Sequence, residues 1–140
     1  MLRFYTGNMY KYNGPDKLDV TVKTSKGLGE AFKPSWPIVN KWRAGSQKIE
    51  DEIRYTEKYR ELMRTSFRTL NESWKELLAM DRVVLCCYCG RDSFCHRFLL
   101  AAMLIIQGAQ YMGEIDDTGV VYQSQNIIVN KWLYWFTTNK

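Results

Sequence analysis

Cys87-Tyr88-Cys89, five further residues and Cys95-His96-Arg97 put three thiols, the single histidine and a guanidinium into one short stretch. Each group brings its own chemistry. A thiolate is a nucleophile and a soft metal ligand. An imidazole exchanges protons near neutral pH, and a guanidinium grips phosphate or carboxylate through paired N–H bonds. The stretch reads as a strand end, a loop and a helix start, which is where open α/β sheets bind ligands. The first turn of that helix adds unpaired backbone N–H groups and the positive end of its dipole. The preferred reading is a pocket for a nucleotide-like or other phosphorylated small molecule, with Arg97 on the anion and Cys89 beside it.

Other chemistries compete for the same residues. An enzyme acting on a nucleotide or nucleoside would use His96 or Asp19 as acid/base and Cys95, activated at the helix N-terminus, as a thiolate nucleophile. A zinc-stabilised interaction protein would draw on Cys87, Cys89, Cys95 and His96. Spacing speaks against that: structural zinc favours Cys pairs separated by two to four residues, and adjacent Cys95 and His96 do not easily reach one tetrahedral ion. No metal and no cofactor is therefore expected. The C-x-C spacing also departs from the C-x-x-C of thiol redox proteins. A cysteine phosphatase is excluded, because no cysteine here is followed six residues later by arginine. Cys86 reads as plain core, and His96 serves equally well as a helix-capping side chain.

Further candidates flank this stretch. In Asp19-Val20-Thr21-Val22-Lys23, strand alternation brings Asp19, Thr21 and Lys23 to one face. Lys33-Pro34-Ser35-Trp36 supplies a cation and a stacking surface. Tyr55, Tyr59 and Met63 form a core stripe from which Tyr55 or Tyr59 can extend a hydroxyl into a cleft. Lys23 and Lys33 would add charge around a phosphate, and Trp36 or Tyr55 would stack on a base.

Positioning these residues requires a sheet and several helices. Leu2 to Tyr5 and Leu18 to Val22 read as strands, with Asn13-Gly14-Pro15-Asp16 as turn chemistry between them. Residues 24 to 34 read as an irregular loop and candidate lid. Ser35 caps a short helix that accepts Pro37 in its first turn and ends at Gly45. Gln47 to Phe67 is amphipathic, and Asn71 to Ala79 continues helical. Arg82 to Cys89, apolar on both faces, reads as a central strand. Ser93 caps a helix from Phe94 or Cys95 to Gln107, apolar nearly all round and therefore internal. Gln110 to Ile115 and Val120 to Tyr122 make a hairpin at the sheet edge, and the aromatic tail packs on the domain edge. The sum is one domain, residues 1–140. Its class is three-layer α/β, with a Rossmann-like, open, mostly parallel sheet and helices on both faces.

The composition, 46% hydrophobic and 25% charged, is that of a folded chain. The longest apolar run, Phe98 to Ile106, falls short of the roughly 20 residues that span a bilayer. Neither a membrane partner nor a secretory leader is expected. Four closely spaced cysteines suit a reducing, cytoplasmic setting. Nine Lys/Arg face three Asp/Glu between Met1 and Lys48, against eleven and twelve in the remainder. That basic third suits phosphate-bearing metabolites or nucleic acid, and serves equally well for solubility alone. Nucleic acid ranks lower as a partner, because no tight basic cluster interleaved with aromatics is present.

Strand, Cys-Tyr-Cys, loop and Cys95-His96-Arg97-x-Leu99-Leu100-Ala101 follow Tyr5-Thr6-Gly7, Asp19-Val20 and Phe32-x-Pro34. Together, over residues 3 to 115, they resemble domain of unknown function 488, a family of small bacterial and phage proteins. The resemblance implies a three-layer α/β fold, an intracellular setting and a pocket involving Asp19, His96 and Arg97, with Thr6 and Gly7 close to the ligand. It brings no settled reaction. The family's first loop often continues with Ser or His, whereas this chain has Asn8-Met9-Tyr10.

Overall fold

The computed structural model describes residues 1–140. Five strands form one sheet: β1 (Arg3–Asn8), β2 (Lys17–Asp19), β3 (Arg82–Cys87), β4 (Gln110–Ile115) and β5 (Val121–Tyr122). Their order is β2-β3-β1-β4-β5. The first four are parallel, and β5 closes the edge as the antiparallel hairpin partner of β4. Five helices accompany them: α1 (Trp36–Ala44), α2 (Ile49–Thr69), α3 (Asn71–Leu78), α4 (His96–Ile106) and α5 (Gln125–Thr138). No helix is long and apolar enough to cross a membrane.

The chain has the three-layer α/β architecture with an open, mostly parallel sheet, but the two faces are covered unequally. The crossovers β2 to β3 and β3 to β4 step across the sheet in the same direction, so right-handed connections put their helices on the same face. Leu2, Phe4, Val83, Leu85 and Cys87 point there and share one core with residues of α2, α3, α4 and α5. The β1 to β2 connection steps the other way and carries no helix. Its Met9 and Tyr12 pack with Tyr5, Val84, Cys86 and Ile115 on the opposite face. Asp16 ties this layer down, accepting from the Tyr12 hydroxyl and from Arg82 Nε. The expectation of helices on both faces is thus met on one, with residues 9–16 covering the other.

Three expectations are revised. Residues 24–34 are an anchored segment rather than a free lid. Gly27–Phe32 forms a 3-10 helix in which Ala31 and Phe32 are buried. Their carbonyls accept bonds from Ser66 Oγ and Tyr59 Oη, both at 2.6 Å. The second strand stops at Asp19, because Asp19 Oδ1 accepts the Thr21 amide in a local turn at 2.9 Å. The aromatic tail is the helix α5, which packs along α4 and buries Val129, Trp132 and Phe136 in the main core.

One close approach fixes where the 3-10 helix sits. A Cβ on Gly29 would run into the backbone carbonyl of Asp19, which has no freedom to retreat. We expect Gly29→Ala to cost roughly 1–3 kcal/mol, as overpacking does, read as a lower urea midpoint at unchanged m-value.

Candidate functional site

The ends of β2 and β3 and the start of α4 enclose a cavity of about 170 Å3. Cys87, Cys95 and His96 form its floor. Trp36, Val39, Trp42 and Arg43 line one wall from successive turns of α1, and Tyr55 reaches in from α2. Tyr88, Cys89 and Phe94 come from the loop after β3, and Lys23 from the turn after β2. The aromatic wall is continuous: Trp42 to Phe94 is 4.6 Å between ring centroids, and Tyr55 to Phe94 is 5.1 Å. A larger groove of about 450 Å3, with Met63, Phe67, Trp74 and Phe136 among its lining, lies at the far end of α4. It offers no thiol or imidazole, so the smaller cavity is the candidate site.

Of the residues singled out from sequence, Lys23, Trp36, Tyr55, Cys89, Cys95 and His96 meet at this cavity. Thr6, Gly7, Asp19, Lys33 and Arg97 do not line it. Thr6 is buried in the sheet and bonded to the Tyr111 hydroxyl at 2.7 Å. Gly7 packs against Val84 and Cys86 on the opposite face. Lys33 pairs at 3.8 Å with Glu30. Asp19 accepts Thr24 Oγ1 at 2.6 Å, and Thr24 Oγ1 in turn meets the Tyr88 hydroxyl at 2.8 Å. Asp19 therefore organises the turn beside the cavity rather than facing a substrate.

Arg97 departs furthest from expectation. It is fully buried, and all its donors are taken. Nε and Nη2 grip the two oxygens of buried Glu114 at 3.2 and 2.9 Å. Nη1 donates to Cys87 Sγ at 2.8 Å and to the Cys89 carbonyl at 3.4 Å, and Nη2 donates to the Gly90 carbonyl at 3.0 Å. No N–H remains for an external anion. Arg97 instead holds a thiol and a loop in place. Asn8 secures the same loop, since its side-chain amide donates to the Cys89 carbonyl at 2.7 Å while its oxygen accepts from the Tyr10 amide.

His96 is also turned inward. Nε2 bonds the Val20 carbonyl at 2.7 Å, which makes it the protonated nitrogen. Nδ1, left as an acceptor, lies 3.9 Å from Cys95 Sγ. Burial lowers the imidazole pKa to about 4, against a partial opposing effect of the Val20 bond. His96 is thus a neutral acceptor beside a thiol and not a proton donor at neutral pH.

Cys95 is the N-cap of α4, so its sulfur sits at the positive end of the helix dipole. Cys89, at the mouth, is exposed. Cys86 faces away, and burial pushes its thiol up to about 12, which keeps it inert. The sulfurs of Cys87, Cys89 and Cys95 all lie within 4.8 Å of one another.

Sequence reasoning passed over Trp42, Arg43, Phe94 and Asn8. The signal for α1 was present: Trp36, Val39, Trp42 and Arg43 recur at helical spacing on a helix that buries none of its residues.

These features define an α/β domain whose cleft, at the carboxyl edge of a parallel sheet, has thiols on its floor and aromatic rings on its wall. Residues 28–108 match the family model described as the active DUF488-N3 subclade. The match takes in more than half of the chain, and the chain belongs to this DUF488 family. It spans α1 to α4 and β3, and leaves Thr6, Gly7 and Asp19 outside. No curated protein and no solved structure matches the chain.

Proposed function

We propose that the cavity takes the flat heteroaromatic part of a nucleotide-like, phosphorylated small molecule, and that Lys23 and Arg43 meet its phosphate. The observation that carries this reading is the run of Trp36, Trp42, Tyr55, Tyr88 and Phe94 around one small cavity with two cations at hand. About 170 Å3 is below the roughly 300 Å3 from which pockets for whole drug-sized ligands begin, so one ring system enters and the charged remainder stays outside. The anion falls to Lys23 and Arg43, because Arg97 is spent internally.

A catalytic reading of the same site is favoured by a second observation. Cys95 stands at a helix N-terminus with the unprotonated Nδ1 of His96 3.9 Å away. Once its sulfur is reduced from the pairing with Cys87, that is a nucleophile beside an acceptor for its proton. The description of the matched subclade as active agrees with it.

Thermal-shift measurements with nucleosides, their mono- and diphosphates and a short single-stranded oligonucleotide test the binding reading. Nucleoside phosphates are expected to raise Tm more than nucleosides do. Trp36 is 44% exposed and outside the buried core, so Trp36→Ala should weaken the best ligand about tenfold, at the lower end of the stacking range, while changing the unliganded Tm little. No shift with any phosphorylated compound would overturn the proposal. A shift with the oligonucleotide alone would transfer the site to nucleic acid. Turnover of the bound ligand that disappears in Cys95→Ser but not in Cys86→Ser would favour the catalytic reading.

A further inference from the structure

We propose that Cys87, Cys89 and Cys95 form a three-thiolate site for a soft divalent ion, zinc by preference, with its fourth coordination position directed into the cavity. The three sulfurs lie within 4.8 Å of one another. An ion bonded to sulfurs at about 2.3 Å in tetrahedral geometry holds them about 3.8 Å apart. With the Cys87–Cys95 pair reduced by a thiol reductant, the three sulfurs are free to spread to that spacing around one ion.

The backbone is spaced for such a bridge. Cys87 and Cys95 are paired sulfur to sulfur as a disulfide, yet their Cα atoms are 7.8 Å apart. Relaxed disulfides hold Cα atoms at about 4.4–6.8 Å, so this pair converges from positions better suited to a shared ion. Cys89 is brought to the same point because the strand ends at Cys87 and the chain turns at Tyr88. The Asn8 and Arg97 bonds to the Cys89 carbonyl fix that turn. The unfavourable C-x-C spacing would matter only if the strand continued.

One ligand sulfur has a cationic donor of its own. The Arg97 N–H on Cys87 Sγ offsets negative charge at the cluster, and Glu114 fixes Arg97 from behind. His96 is not a fourth ligand, since its Nε2 is held by Val20 and its Nδ1 lies outside the three-sulfur group. Three protein ligands and one position facing a cavity match catalytic rather than structural zinc sites. Sulfur donors select zinc over magnesium or calcium. On binding, the thiol protons leave to solvent. The role of the ion depends on the cavity being the working site, as proposed above, but its binding does not.

The full chain, reduced and stripped of metal, is titrated with cobalt(II) and then with zinc. We expect one cobalt per chain with intense thiolate-to-cobalt charge-transfer absorption, bleached by one equivalent of zinc. Cys89→Ser, which alters an exposed residue, should bind zinc at least tenfold more weakly in competition with a chromophoric chelator, with its metal-free Tm unchanged. Cys86→Ser should match the parent. Cobalt uptake without the charge-transfer band, or zinc affinity unchanged in Cys89→Ser, would overturn the proposal. So would a reduced chain that takes up neither metal. Nucleotide binding is measured on separate samples with and without zinc, so failure of the metal site and failure of the ligand site are read independently.

Discussion

Arg97→Met is expected to destabilise the protein by about 3–5 kcal/mol, the cost of breaking a buried ion pair from one side. Arg97 is fully buried and Glu114 is only 3% exposed. Removing the guanidinium leaves a buried carboxylate with no cation beside it. It also leaves the Gly90 carbonyl without its side-chain donor and Cys87 Sγ without a hydrogen bond. Arg97→Lys should fall in the same range, because one ammonium cannot grip both carboxylate oxygens and still reach a sulfur and a carbonyl. Arg97→Met combined with Glu114→Leu should recover most of the loss, since no unpaired charge then stays behind. Equilibrium urea denaturation of the two single variants and the double variant makes the comparison. Additive losses would mean that the pair is not coupled. The double variant should fold and still bind ligand poorly, because the loop carrying Cys89 has lost its anchor.

The same pair marks how far the sequence could be read. The central strand, the amphipathic α2 and the internal α4 were legible, because each rests on local periodicity that tertiary context did not override; the expected Ser93 cap was not, since α4 starts after Cys95 with no side-chain cap bond. The place of the site was legible for a similar reason: a buried strand that leads through a short loop into an internal helix sets its loop at the carboxyl edge of the sheet. The job of Arg97 was not. Taken alone, Arg97 looks like an anion grip. Its partner Glu114 lies in β4, between a glycine and an isoleucine, and only the sheet order brings the two together. A clue was present, in that an arginine in a helix apolar nearly all round must find its counter-charge inside. The helix α5 was missed because Ile127, Ile128, Val129, Trp132 and Trp135 are modest helix formers that yield to packing on α4. The metal-compatible cluster was hidden by a spacing rule that assumes knuckle loops, whereas here a strand end and a helix cap supply the ligands.

The second large effect is on pH dependence. In the metal-free chain, where thiolate ligation does not enter, stability should fall as pH drops from about 6.5 to about 4 through His96. Burial holds the folded imidazole at about 4, against an ordinary value of 6.5. Between those values the unfolded chain carries the proton and the folded chain does not, so acid favours unfolding. The slope is about 1.4 kcal/mol per pH unit, and the loss reaches about 3 kcal/mol at the low end. Above pH 6.5 the contribution is fully present. His96→Gln keeps a polar donor near the Val20 carbonyl but cannot titrate, so its stability should be flatter than the parent's between pH 7 and 4.5. Carboxylates titrate mainly below that window, and the difference between the two proteins isolates the imidazole. Parallel curves would mean that His96 titrates alike in the folded and unfolded chain, so that burial does not hold it neutral down to about pH 4. In that case the imidazole is partly protonated just below neutral pH, and the buried neutral acceptor described for the site is lost. A flatter curve for the variant leaves a neutral acceptor beside the thiol, which is the arrangement a cysteine nucleophile requires.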